Sequence, residues 1–219
     1  MRRRSMLKYK GTYLHLISMV IKKPMYKQYG KKNTKLWVKQ AQSIYKEMLK
    51  ETDDVGADNP MAVNIYMGYV FMAIWKAADG EIGLEDFKKV TQEMMQNPLV
   101  QKLKSGTDMN KPEDAAKMKA NFHRMADWLT EHPQYAEHSW DYHFDEEKHK
   151  DGVYYYFTKC PMEEFARKHG FTEILPVLCD LDYCTAATHH AKLIRDETLA
   201  LGGKKCDYWF VPDKTVNPQ

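Results

Sequence analysis

Near residue 135 the repeat of apolar side chains changes, and this limits the possible folds more than any other feature of the chain. Upstream, apolar residues recur at the three-to-four spacing that places them on one face of a helix. Trp37, Ala41, Ile44, Tyr45 and Met48 form one stripe. Ile65, Tyr66, Tyr69, Val70, Ala73, Ile74 and Ala77 form another, with Asp58 or Asn59 as cap and Pro60 at the first helical position. A third helix is expected from near Leu84 to about Pro98. A fourth follows Pro112, with Glu113 and Asp114 in the first turn, where the helix dipole favours acids. His132-Pro133 closes it.

Downstream, Trp140, Tyr142 and Phe144 alternate with Asp141, His143 and Asp145, the period of a half-buried strand. Lys150-Asp151-Gly152 reads as a turn and Val153–Thr158 as the returning strand, giving a hairpin. Pro161–His169 reads as a short helix ended by Gly170, and Glu173–Ala186 as another that tolerates Pro176. Lys192–Ala200 and Cys206–Val211 read as a second hairpin around Gly202-Gly203, both glycines expected at positive φ. The resulting class is α+β, with a helical N-terminal layer on a small antiparallel sheet built from two C-terminal hairpins. One domain over residues 1–219 is expected, mainly helical to 135, with the hairpins and two short helices in 136–212.

Charge is distributed unevenly. Residues 1–46 carry 13 Lys or Arg and no acid, whereas residues 47–219 carry 20 basic and 30 acidic residues. The basic segment is read as a helix docked on an acidic body. It lacks the interleaved aromatics of a nucleic-acid platform, so no nucleic-acid partner is expected. No apolar run approaches the ~20 residues that span a bilayer, so no membrane partner is expected either. Arg2–Arg4 and Tyr13–Ile21 imitate a signal peptide, but His15 interrupts the apolar core and no small-residue cleavage site follows Pro24. A cytoplasmic location is expected, with the cysteines as thiols. Exposed aromatics on the helices suit either the core or a homodimer interface.

Several motifs fail on inspection. Asp79 to Phe87 imitates the second half of a calcium loop, but the first two ligand positions hold Trp75 and Ala77. There is no phosphate loop, paired-histidine zinc helix or nucleophile elbow.

The C-terminal third carries a denser constellation. It runs Cys160-Pro161, Arg167, Gly170, Cys179-Asp180-Leu181-Asp182, Arg195 to Ala200, Gly202-Gly203 and Cys206-Asp207-Tyr208. This order resembles the L-2-amino-thiazoline-4-carboxylic acid hydrolase family, closely over residues 138–212 and in general helical character before that. Tyr208 stands where phenylalanine is common. The resemblance implies a hydrolase that opens a small cyclic isothiourea to an N-carbamoyl amino acid. Such a reaction needs an attacking group, a proton carrier, an acid to hold the amidinium and a cation for the substrate carboxylate. The candidates are Cys160, Cys179 and Asp182 as catalytic groups, and Arg195, Thr198, Cys206 and Asp207 around the substrate. Cys160 stands first among the thiols, because a helix N-terminus favours thiolate. Each thiol also reads as a small buried hydrophobe, and Arg195 equally as an internal partner of Asp182 or Asp207. No cofactor is assigned; zinc on three thiols plus Asp182 or a histidine is the alternative. A helical layer over a short sheet also resembles ligand-binding domains of the 4-vinyl-reductase type, so a non-catalytic small-molecule sensor is the competing function.

Overall fold

The structure is a computed structural model, described here for residues 7–104 and 106–216. Arg2–Arg4 lie outside the described residues. Eight α-helices occur among them: α1 (Gly11–Glu51), α2 (Ala62–Ala77), α3 (Leu84–Met95), α4 (Pro98–Lys104), α5 (Pro112–Glu131), α6 (Pro161–His169), α7 (Leu175–Cys179) and α8 (Leu181–Thr188). Three strands follow the helical part or alternate with its last elements: β1 (Val153–Phe157), β2 (Ala191–Ile194) and β3 (Cys206–Pro212). The α+β class stands, with helices towards the N-terminus and a small antiparallel sheet near the C-terminus.

The basic segment becomes α1, which packs on α2 and α3. Leu14, Ile17, Val20, Ile21 and Met25 are buried on its first half, and Trp37, Ala41, Tyr45, Met48 and Leu49 on its second. The backbone leaves helical geometry at Gly30, so the two halves meet the core along different lines. Pro24 does not end the helix. α2 supplies the most apolar wall, with Ile65, Tyr69, Val70, Met72, Ala73 and Ile74 fully covered. Pro98 begins α4 instead of ending α3, since proline suits the first helical turn and Asn97 Oδ1 accepts the Leu99 N–H.

The sheet order is β1-β3-β2, with β3 antiparallel to both neighbours. The second expected hairpin is therefore present, though its first strand stops at Ile194 and a 3₁₀ turn at Leu199–Leu201 occupies the connection. The first expected hairpin is not. Residues 140–145 make only an isolated bridge, His143 to Tyr156, and β1 pairs instead with β3, register Tyr155 to Tyr208. The carboxylate of Asp141 accepts the backbone N–H groups of Thr158 and Lys159 and so ties down the extended segment without a ladder. The expected helix over Glu173–Ala186 is two helices. Asp180 ends α7 and precedes α8, its carboxylate held 2.7 Å from Lys88 on α3.

Candidate active site

Arg195 leaves the end of β2 and runs inward, its side chain 3% exposed. Its guanidinium is spent on three oxygens: Nε donates to the Asp207 carbonyl at 3.1 Å, one terminal nitrogen to the Cys179 carbonyl at 3.3 Å, and the other to Asp182 Oδ2 at 2.8 Å. Its face lies 4.2 Å from the centre of the Tyr208 ring, a cation–π contact. Burial opposes its charge, but Tyr208 and Asp182 outweigh that and hold its pKa above the ordinary arginine value. Arg195 thus pins α7, α8 and β3 together from one point.

Asp182 is the polar group of this cluster that reaches water, with its side chain 39% exposed. Oδ2 accepts from Arg195 and, at 3.2 Å, from the Tyr208 hydroxyl. Among the described residues Oδ1 has no hydrogen bond. Tyr208 is flanked by Tyr155 on β1, the rings stacked at 4.9 Å. Burial and then neighbouring groups push both phenols well above the usual tyrosine pKa, so both keep their protons.

Cys160, Cys179 and Cys206 come from three elements and are close enough to raise one another's pKa. Cys160 caps α6. Burial pushes its thiol up to about 12, against the opposing pull of the Glu163 and Met162 amides. The helix N-terminus was expected to favour a thiolate here; loss of solvation is the larger effect. Cys179 is raised by burial and by Asp182. Cys206 is raised by burial, and its sulfur accepts the Leu199 N–H at 3.2 Å. Cys184 stands apart, coupled to Lys104 and Asp180. All four cysteines are free. The three thiols and Asp182 do not form a close metal-donor cluster among the described residues.

The other expected site residues hold the β2–β3 connection. Asp207, 2% exposed, accepts the backbone N–H groups of Asp196 and Glu197 at 2.9–3.1 Å. Thr198 is buried and its hydroxyl has no hydrogen bond among the described residues. Gly202 adopts positive φ as expected, but Gly203 does not. Gly203 is required for a different reason: a Cβ there would lie 2.7 Å from Glu197 Oε2 and 2.9 Å from the Thr198 carbonyl oxygen. Asp207, Thr198 and Gly203 shape the connection, whereas Asp182, Arg195 and the thiols of Cys179 and Cys206 meet at one place.

Two residues of this place escaped the sequence argument. Tyr155 lies in an unbroken run of aromatics, where nothing marks one ring from the next. Lys104 ends a helix that was not expected, and its ammonium donates to Thr185 Oγ1 at 2.9 Å, three residues along α8 from Asp182. Burial lowers the Lys104 pKa while Asp182 and Cys184 oppose that. Two surface hollows, of about 190 and 10 Å³, are lined by none of Cys179, Asp182, Arg195 or Cys206.

The family model for L-2-amino-thiazoline-4-carboxylic acid hydrolase matches residues 63–210, from α2 to β3. The chain belongs to this family. The match holds the whole Arg195–Asp182–Tyr208 cluster and reaches further into the helices than the motif-bearing residues 138–212. It supports a hydrolase-like function at family level. No curated protein and no solved structure matches the chain. Among the described residues no helix is long and apolar enough to cross a membrane.

Proposed function

We propose that the protein hydrolyses a small cyclic isothiourea or amidine bearing a carboxylate, of the L-2-amino-thiazoline-4-carboxylate type, to an N-carbamoyl amino acid. One observation carries the reading: Asp182 is fixed from behind by Arg195 and Tyr208 and still presents an oxygen without a hydrogen bond towards water. An amidinium N–H donates to such an oxygen in a charge-assisted hydrogen bond.

In this reading Asp182 holds the amidinium and takes a proton from the attacking water. Water oxygen bonds to the amidine carbon, the ring carbon–sulfur bond breaks, and the sulfur leaves as a thiolate that receives the proton. One water is added and both substrate nitrogens stay in the carbamoyl product. Water is favoured over a cysteine as the attacking group because burial keeps Cys160, Cys179 and Cys206 protonated. Arg195 is a positioning residue, since its side chain is buried and all three of its nitrogens already donate to protein oxygens. Lys104 supplies the positive charge for the substrate carboxylate.

The test is turnover of L-2-amino-thiazoline-4-carboxylate followed by release of free thiol. Asp182→Asn is expected to lower kcat by about 10²-fold or more, and Lys104→Met to raise KM with a smaller change in kcat. Cys179→Ser is expected to retain most activity. Collapse in Cys179→Ser with Asp182→Asn active would replace water by a thiol nucleophile. A folded wild type that binds the compound without turning it over would favour the sensor reading.

A further inference from the structure

We propose a divalent transition-metal site of the zinc type at Asp53, His138 and Glu164, separate from the Asp182 cluster. Asp53 lies just beyond α1, His138 just beyond the 3₁₀ turn at Pro133–Tyr135, and Glu164 in the first turn of α6. One donor atom from each lies within 4.8 Å of the other two. Zinc bonds to nitrogen and oxygen at about 2.0–2.2 Å, so small side-chain movements bring all three to one centre. The two carboxylates favour a dication, with Lys168 offsetting part of their charge.

Three further observations point to a ligand here. The 10 Å³ hollow is lined by Asp53, His138 and Glu164 together with Tyr69, Thr52 and Pro161, and that volume suits about one water-sized occupant. Tyr69 is fully buried and its hydroxyl meets Thr52 without forming a well-aligned hydrogen bond. His138 Nδ1 is buried and has no hydrogen bond among the described residues. A buried polar atom left in this state is costly, and a bound ion with its water removes that cost.

The neighbouring charges allow it. Lys168 lies 3.5 Å from Asp53 Oδ2. The Glu164 carboxylate has no hydrogen bond or ion pair among the described residues. Glu137 is 3.9 Å from His138 Nε2, on the exposed side of the ring. Imidazole with two carboxylates selects a transition cation over calcium. The fourth position falls to water or to the Tyr69 hydroxyl. The ion ties the end of α1, the segment after α5 and the start of α6 to the α2 wall.

The test is zinc titration of the full chain after chelator treatment, with melting temperature read on the same samples. One zinc per chain and a concentration-dependent rise in melting temperature are expected. Glu164→Gln and His138→Ala should each weaken binding at least tenfold, with the fold checked by circular dichroism. Cys179→Ser and Cys206→Ser should bind as the wild type does. Cobalt in place of zinc should give a spectrum without a thiolate charge-transfer band. No stoichiometric zinc, unchanged binding in Glu164→Gln, or a cobalt–thiolate band would each overturn the site. Loss of zinc with turnover intact would leave the proposed hydrolysis standing, and the reverse would leave the metal site standing.

Discussion

Asp141 does with a side chain what a neighbouring strand does with a backbone. Its carboxylate accepts from the Thr158 hydroxyl, from His143 and from the amides of Thr158 and Lys159. Burial alone would raise its pKa, but these donors together hold it below the ordinary aspartate value. A carboxyl lowered in the folded state stabilises above the unfolded pKa, near 4, and loses that contribution as pH falls through the folded value. Asp141→Asn is expected to cost about 1–3 kcal/mol at pH 6. The gap to wild type in urea denaturation should narrow below pH 4. A constant gap down to pH 2.5 would contradict this account. The same attention to single residues explains which site groups were legible. Arg195 and Asp182 stood out through the ordered motif that carries the family resemblance, and their pairing was one of the readings it left open. The state of the thiols was not legible, because a helix N-terminus and loss of solvation pull in opposite directions, and burial is not written in the local sequence.

At the level of elements, the long helices and the β2–β3 pairing were readable and the partner of β1 was not. Apolar stripes over 37–48 and 65–77 report a face, and a face is all a helix needs. The alternation Trp140, Tyr142, Phe144 is equally real: Tyr142 packs on Phe157 and Tyr155, and Phe144 stacks on Tyr142. It records an extended chain with one side inward, and period two says nothing of which backbone lies alongside. The partner of β1 is about fifty residues away, and close approach makes that pairing strict. Gly152, at φ 77°, precedes β1, and a Cβ there would sit 2.0 Å from the Phe210 carbonyl oxygen. Gly152→Ala is therefore expected to destabilise by more than about 2 kcal/mol. Amide exchange should accelerate at Tyr154 and Phe210 more than in α2. Equal acceleration everywhere would show global loosening instead.

Across the whole molecule, the charge asymmetry hides an apolar attachment. α1 places a basic surface on an acidic body, yet the pair Lys27 and Glu93 sits 3.8 Å apart with both side chains largely in water. Exposed pairs contribute little and fade with salt. Trp37, 2% exposed and edge-on to Tyr29 at 5.4 Å, belongs instead to one cluster of buried side chains running from Leu7 to Phe210. Trp37→Ala is expected to cost about 3–5 kcal/mol, whereas 1 M sodium chloride should move the melting temperature by only a few degrees. A large salt-induced loss would make charge the principal attachment.

The strand order carries a consequence for biogenesis. The central strand, β3, is the last of the three to be synthesised. Until residues 206–212 emerge from the ribosome, β2 has no strand partner, β1 has only the bridge from His143 to Tyr156, and the edge of β1 that meets β3 stands open. Arg195 and Asp182 likewise wait for the Asp207 carbonyl and the Tyr208 hydroxyl. Sheet and candidate site are then completed by one late, long-range event, after the helices have had time to form. A translation arrest just short of Cys206 leaves a helical body carrying two adhesive strand edges, a form that chaperones are suited to shield and proteases to remove.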